Sequence, residues 1–211
     1  MPEAPVPVAT ASASTTAEVA APPRLPCASG ELIRCTEGCN DHLTEDCVTL
    51  GIMYLSGSVV TVDTERAATL FRAACEADSA RACLHLAYAH HNGFVTPLPS
   101  ERANPHAAEV TLYKRACDLG ANEGCLSAGR AFVDGHGGPK DPVSAAELFE
   151  RVCSRGNASA CFELGRLHAR GEGVARKPDR ARDLFLKACQ LGLEEGCLRA
   201  DEKRGEPSRR R

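Results

Sequence analysis

Apolar residues recur along most of this chain at helical spacing, in two alternating patterns. The first pattern is read forward from the second cysteine of each C-x7-C pair. A small residue follows that cysteine by four positions, a ring by seven and a glycine by ten, so all three lie along one side of a helix. The small residues are Gly51, Ala87, Gly129 and Gly165, the rings are Tyr54, His90, Phe132 and His168, and the glycines are Gly57, Gly93, Gly135 and Gly171.

The ring column is interpreted as part of the hydrophobic core, because its spacing matches a packing stripe. His90 and His168 share this column with Tyr54 and Phe132, so they are interpreted as packing residues rather than as ligands. The closing glycine of each pattern stands where a helix commonly ends in a left-handed residue. The first pattern therefore predicts one complete helix after each second cysteine.

The second pattern is read backward from each first cysteine as A-x-x-L-F-x-x-A-C, an apolar stripe at helical spacing. Asp63 and Asp141 suit the N-cap of this second helix, and Pro142 and Pro178 suit its first turn. Glu109 departs from the pattern, since it stands where the other copies carry alanine. The columns are Ala67, Glu109, Ala145 and Ala181; Leu70, Leu112, Leu148 and Leu184; Phe71, Tyr113, Phe149 and Phe185.

The two helices form a unit that recurs at a nearly fixed period. From Cys39 onward, the first cysteine of each pair recurs after 36, 42, 36 and 36 residues. A period of this size predicts an all-α fold, an α/α solenoid of tandem helix-turn-helix repeats. The expected segments are an Ala/Pro-rich linker at 1–26, an N-terminal cap at 27–38, repeats at about 39–74, 75–116, 117–152 and 153–188, a partial repeat at 189–200, and a basic tail at 201–211.

The twelve cysteines form six pairs, all with the spacing C-x7-C. In each repeat the first cysteine closes one helix and the second opens the next, so the pair can form a disulfide across the tight turn. An even number of regularly spaced cysteines is typical of a disulfide framework. Cys27 and Cys35 share the spacing, so we expect them to bridge as well, although no repeat columns precede them. The pairs predicted to bridge are Cys39 with Cys47, Cys75 with Cys83, Cys117 with Cys125, Cys153 with Cys161, and Cys189 with Cys197.

A zinc site is the main alternative use of these cysteines. Structural zinc sites favour pairs spaced C-x2–4-C, which C-x7-C does not match. The one close set is Cys35, Cys39, His42 and Cys47, and it would require Cys35 to abandon Cys27. We therefore predict neither a metal nor a cofactor. The sequence contains no S-x-x-K, H-E-x-x-H, G-x-S-x-G or Walker-type motif, so no catalytic residue is predicted.

Composition limits the partner and the compartment. Aromatic residues make up 4% of the chain and tryptophan is absent, which fits alanine-rich helix pairs better than a large conventional core. The net charge of −3 gives no nucleic-acid footprint, and no stretch is long enough to span a membrane. Paired cysteines indicate an oxidising compartment, so we expect a secreted, periplasmic or cell-surface protein. Since no signal peptide is recognisable within the chain, we expect a leader upstream of it. Residues 1–26 would then be the linker of a lipoprotein tether or of an exported domain.

The columns resemble those of the Sel-one-like (Sel1-like) repeat, a relative of the tetratricopeptide repeat. Stretches such as LFRAACEADSARACLHLAYAHHNG and LYKRACDLGANEGCLSAGRAFVDG carry the resemblance, and their cysteines resemble the secreted Hcp beta-lactamase subgroup. The resemblance implies a scaffold that binds a protein or peptide. It also implies two alternatives: a weak beta-lactamase or penicillin-binding protein, which turnover of a chromogenic cephalosporin would favour, and a location in the mitochondrial intermembrane space.

One repeat carries six extra residues between Gly93 and Leu112, where the period rises to 42. Insertions in solenoids fall on loops at one face, which is often the binding face. Residues 94–105 are unusually apolar for an exposed loop. The alternative is a tolerated insertion that folds back over its own repeat. The residues predicted to contribute to partner recognition are His90, His91, Phe94 and Leu98.

Overall fold

The computed structural model describes residues 25–96, 99 and 103–201, and within these ranges helices alternate with short connections. The predicted linker and tail lie almost entirely outside the described residues, as does Leu98. The helices are α1 Leu32–Asn40, α2 Thr44–Ser56, α3 Thr64–Glu76, α4 Ala80–His91, α5 Pro105–Asp118, α6 Asn122–Asp134, α7 Pro142–Ser154, α8 Ala158–Arg170, α9 Pro178–Gln190 and α10 Glu194–Asp201.

The helices form four consecutive pairs: α2–α3, α4–α5, α6–α7 and α8–α9. Each helix packs mainly on the helices immediately before and after it in the chain. Helix α1 covers one end of the array by packing on α2, and α10 covers the other end by packing on α9. This arrangement confirms the predicted all-α solenoid, in which each unit packs on its neighbours. We refer to the members of each pair as the first helix and the second helix.

Local signals fix where the helices begin and end. The Asp63 carboxylate accepts a hydrogen bond from the Arg66 backbone N–H at 2.9 Å, and Asp141 caps α7 in the same way. Pro142 and Pro178 occupy the first turns of α7 and α9, where a missing N–H costs nothing. The glycine that closes α6 takes a left-handed conformation with φ of 75°. These predicted caps and stops are confirmed.

All twelve cysteines form local disulfides, including the expected Cys27–Cys35 pair that precedes the repeat columns. Cys75 lies in the last turn of α3 and Cys83 in the first turn of α4, and their Cα atoms are 4.6 Å apart. Each repeat bridge therefore links the second helix of one unit to the helix that follows it. The equivalent bridges are Cys117 with Cys125 between α5 and α6, Cys153 with Cys161 between α7 and α8, and Cys189 with Cys197 between α9 and α10.

The bridge at the start of the solenoid follows the same rule. Cys39 lies near the end of α1 and Cys47 in the first turn of α2, and their Cα atoms are 4.5 Å apart. The zinc set considered for Cys35, Cys39, His42 and Cys47 is therefore not formed, because all three of its cysteines are held in disulfides. All five bridges predicted from the repeat columns are confirmed.

Within a unit, the small residue of the first helix lies against the ring of the second helix. A Cβ atom added to Gly129 would stand 2.5 Å from Cε1 of Phe149, which is fully buried. A Cβ on Gly51 would approach Phe71 equally closely, at 2.6 Å. The interior is close-packed at these contacts, so glycine is favoured at these two positions by the approach of the ring rather than by backbone conformation.

The ring column of the first helices is less buried than the sequence predicted. Tyr54, His90, Phe132 and His168 are all half-buried, so the prediction that the column is core is correct only in part. Two of these rings contact the start of the second helix or the turn before it. The Arg66 guanidinium lies over the Tyr54 ring, 5.1 Å from its centroid, and His168 Nδ1 is 3.2 Å from a carbonyl in the following turn. The true core rings are the Phe and Tyr column of the second helices.

A basic column that the sequence analysis did not identify ties the second helices together. It stands two positions before the first cysteine and consists of Arg115, Arg151 and Lys187. Arg115 donates to the carbonyl of Glu76 at the end of α3, and Lys187 donates to the carbonyl of Cys153 near the end of α7. A cation is favourable at a helix C-terminus, where unpaired carbonyls carry partial negative charge. Each such side chain thus reaches back one unit along the solenoid.

Candidate functional site

Three columns of mostly polar residues lie on one side of the first helices. They stand two positions before, two after and five after the second cysteine, a spacing that places them on a common helical side. Apart from Thr49, their side chains are exposed or half-buried. We call this set the first-helix face. Its members are Glu45, Thr49, Ile52, Arg81, His85, Tyr88, Glu123, Ser127, Arg130, Ser159, Glu163 and Arg166.

Side-chain bonds join the first helices of neighbouring units into one surface. The Arg81 guanidinium of α4 donates to Glu45 of α2 at 3.3 Å. The Tyr88 hydroxyl of α4 donates to Glu123 of α6 at 2.6 Å. The next pair continues the row, since Arg130 of α6 donates to Glu163 of α8 at 3.2 Å. Because each bond spans two units, α2, α4, α6 and α8 lie side by side and present a continuous face.

The centre of the first-helix face is aromatic and neutral. Two effects raise the pKa of Tyr88 to about 12: the larger is partial burial, and the second is the hydrogen bond to the Glu123 carboxylate. The Tyr88 hydroxyl therefore stays protonated and donates. The pKa of His85 lies below its ordinary value, mainly because the ring is buried and secondly because the positive charge of Arg81 is nearby. The His85 ring is stacked on the core ring of Phe71, with centroids 5.3 Å apart. At neutral pH this part of the face therefore offers uncharged rings and a hydroxyl.

One end of the face carries an excess of positive charge. Glu163 is largely buried and accepts from the guanidinium groups of both Arg130 and Arg166, at 3.2 and 2.8 Å. A single carboxylate cannot neutralise two guanidinium groups, each of which has five N–H donors. Both arginine side chains remain substantially exposed, at 52% and 38%. Their remaining donors are available to a carboxylate from outside the chain.

A second cluster lies at the edge of the insertion. Its centre is Glu109 in the first turns of α5, whose side chain is only 4% exposed. Oε1 of Glu109 is 2.8 Å from Nδ1 of His91, the last residue of α4. Its Oε2 is 3.1 Å from Nε2 of His136, in the turn between α6 and α7, and 3.4 Å from Nδ1 of His106 in α5. We call these four residues the histidine cluster.

The electrostatics of the histidine cluster keep its carboxylate charged. Burial on its own raises the pKa of Glu109, but the hydrogen bonds from His136, His91 and His106 together outweigh it, so the pKa lies below its ordinary value. The cluster also has the composition of a metal site. Candidate ligand atoms of His91, Glu109 and His136 all lie within 4.8 Å of one another.

Sequence reasoning found only part of this cluster. The sequence predicts that His91 is a recognition residue, and it shows Glu109 as a departure from an alanine column. His136 comes from the next unit, and a search for ligands at short spacing in the sequence cannot find it. The signal that could have found it is the carboxylate in an alanine column, because a buried carboxylate requires polar partners.

Two of the remaining predicted recognition residues, His90 and Phe94, lie in the part of the chain that the structure describes. His90 is half-buried in the ring column, and Phe94 is 46% exposed just after α4. Val95, next to it, is buried in the core, and the backbone N–H of Thr96 donates to Glu65 of α3. The described start of the insertion therefore packs against the preceding unit. The contribution of His90, His91 and Phe94 to partner recognition stays a prediction, as does that of Leu98, which lies outside the described residues.

In the residues that the structure describes, no helix has both the length and the apolar character needed to cross a membrane.

Comparison with known proteins gives one family. The Sel1 repeat matches four times, at residues 47–79, 80–120, 123–157 and 158–193, which together cover more than half of the chain. No curated protein is significantly similar to the chain.

Two of the matching solved structures illustrate the similarity. A Sel1 repeat protein from Oxalobacter formigenes superposes with a TM-score of 0.67 at 24% identity, over 79% of this chain and 46% of that one. Cysteine rich protein B from Helicobacter pylori matches with a TM-score of 0.48 at 27% identity, over 67% of this chain and 97% of that one. The present chain therefore spans less than half the length of the first of these structures, and that similarity concerns the fold alone.

Proposed function

The chain belongs to the Sel1 repeat family, and we propose that it is a disulfide-linked scaffold that binds a protein or peptide along the first-helix face. Sel1 repeats with local disulfides are typical of protein-interaction modules. The observation that carries the proposal is the row of bonds Glu45–Arg81, Tyr88–Glu123 and Arg130–Glu163, which makes one polar surface from four separate units.

The disulfides prepare this surface for binding. Each bridge closes a short loop between consecutive units and restricts the movement of one unit against the next. A surface that is rigid before binding loses less conformational entropy when a partner docks. The scaffold can therefore hold its face in one shape although each unit is small.

Two parts of the face suggest how a partner is held. Arg130 and Arg166 share one carboxylate and retain donors for an acidic side chain or a C-terminal carboxylate of the partner. The neutral rings of His85 and Tyr88 offer an amphipathic contact next to it, and aromatic residues and arginine are enriched in binding hot spots. We propose that the partner is acidic where it meets α6 and α8.

The cysteines support a proposal about the compartment. All twelve are oxidised to disulfides, which indicates an oxidising environment. We propose the periplasm, the cell surface or the external medium, with the mitochondrial intermembrane space as the alternative. Cell fractionation, with thiols alkylated before lysis, tests this: recovery of the protein as reduced thiols in the cytosol would contradict the proposal.

The binding function is tested by crosslinking and affinity capture from the native host. The test variant is Arg130→Gln with Arg166→Gln. The matched control is Arg180→Gln, since Arg180 is similarly exposed but lies on the second helix α9. We expect the double variant to capture markedly less partner than the wild type while melting at a similar temperature, and the control to capture the wild-type amount. Equal capture by all three proteins would exclude this end of the face as the docking site.

A further inference from the structure

The histidine cluster has no counterpart in the other repeats. In the other units, alanines that are completely buried occupy the Glu109 column. The column of His91 holds Leu55, Val133 and Ala169 in those units. The solenoid is therefore built without charged groups at these positions, and packing does not require them here. Departures from an otherwise consistent local pattern are expected at functional sites.

The donor set of the histidine cluster matches a transition metal. We propose that Nδ1 of His91, a carboxylate oxygen of Glu109 and Nε2 of His136 bind a Zn²⁺ ion. Imidazole nitrogen with carboxylate oxygen is a common zinc donor set, whereas calcium and magnesium prefer oxygen alone. In tetrahedral zinc sites with bonds of about 2.0–2.2 Å, ligand atoms are roughly 3.3–3.6 Å apart. The His91–Glu109 and His136–Glu109 pairs, at 2.8 and 3.1 Å, would separate slightly around an ion. The candidate ligand nitrogens of the two histidines lie within 4.8 Å of each other, so they would need to approach by at most about 1.5 Å.

Burial and exposure are distributed as such a site requires. The Glu109 carboxylate is fixed at 4% exposure, whereas the side chains of His91 and His136 are 55% and 35% exposed. An ion can therefore enter from solvent, and the two rings have room to adjust to it. His106 adjoins the site, with its ring centroid 4.1 Å from that of His136. It is placed to supply a fourth nitrogen or to hold the His136 ring.

The proposed ion would connect three separate segments. These are the end of α4, the start of α5 and the turn between α6 and α7, so the site spans two consecutive units. The turn is already seated there, because the Asn104 side chain donates to the carbonyl of Gly137 at 3.0 Å. The insertion joins two of these segments, so bound zinc would hold both of its ends against the next unit. This role differs from partner binding on the first-helix face and does not depend on it.

The test uses the full chain with intact disulfides, purified without a metal-affinity tag and freed of metal by a chelator. Titration calorimetry with ZnCl₂ should show one ion per chain, and Co²⁺ should give the visible absorption of a nitrogen- and oxygen-coordinated site. Glu109→Ala introduces the residue that the other units carry, so we expect it to fold. His136→Ala, at a partly exposed position, provides a second variant.

We expect zinc affinity to fall by more than about tenfold in both variants, since losing even a residue that only orients a ligand costs about 10–100-fold. The matched control is His168→Ala, because His168 is a half-buried histidine outside the cluster, and its affinity should be that of the wild type. Zinc should also raise the melting temperature of the wild type and of the control but of neither cluster variant. Absence of saturable binding in the wild type, or unchanged binding in Glu109→Ala and His136→Ala, would overturn the proposal.

Discussion

The contact between Gly129 and Phe149 gives the most quantitative prediction. In an exposed helix, replacing glycine by alanine stabilises the folded state by about 1 kcal/mol. Here the new Cβ would stand 2.5 Å from Cε1 of a fully buried ring, so the ring must move by about 1 Å to reach an ordinary contact distance. Overpacking of this kind costs about 1–3 kcal/mol. We therefore expect Gly129→Ala to be neutral or to destabilise by up to about 2 kcal/mol, and Gly129→Leu to destabilise more.

A double-mutant cycle separates the two effects. Phe149→Leu removes the ring atom that the Cβ would meet, so Gly129→Ala in that background should stabilise by up to about 1 kcal/mol, which is the helix propensity alone. Urea unfolding of the oxidised proteins, followed by circular dichroism, measures all four free energies of unfolding. If alanine at position 129 stabilises both backgrounds equally, the small column is not set by the approach of the ring and the packing argument is wrong.

Three further predictions concern the bridges, the caps and the insertion. Replacing Cys153 and Cys161 together by alanine removes a bridge with a sequence separation of 8 and should lower the free energy of unfolding by about 2–3 kcal/mol in non-reducing urea titrations; a loss under about 0.5 kcal/mol would contradict this. Hydrogen bonds from Ser144 lower the pKa of Asp141, so its stabilising effect is present above the ordinary carboxyl pKa and is lost as pH falls through the lower folded-state value. The melting temperatures of the wild type and Asp141→Ala should therefore converge in acid, and a constant difference would argue against the cap. Deleting residues 97–102 should weaken partner capture at an unchanged melting temperature if the insertion takes part in recognition, and intact capture or a large drop in melting temperature would refute that role.

The repeat made most of the fold predictable. Each helix, cap and bridge depends on residues a few positions apart. Because the pattern recurs in several repeats, each column could be identified more than once. The Asp63 and Asp141 caps and the local disulfides are of this kind. The ring column was misjudged because helical spacing identifies a side of a helix but does not show how deeply that side is covered.

Contacts between units were much harder to predict. The Arg115–Glu76 bond, the Tyr88–Glu123 bond and the His136–Glu109 contact join residues that are 39, 35 and 27 positions apart in the sequence. Such pairs depend on the rotation and rise from one unit to the next, which periodicity alone does not determine. The first-helix face and the histidine cluster consist of these contacts, so the sequence revealed single members but not the assembled sites.

The position of the bound partner tests the central claim most directly. Hydroxyl-radical footprinting of the captured complex reports which side chains the partner covers. His85 and Tyr88 represent the first-helix face, and Leu186 and Val143, both exposed on second helices, represent the remaining surface. Binding along the first-helix face predicts that oxidation of His85 and Tyr88 falls in the complex while that of Leu186 and Val143 is unchanged. Protection of Leu186 and Val143, with His85 and Tyr88 still oxidised as in the free protein, would contradict it.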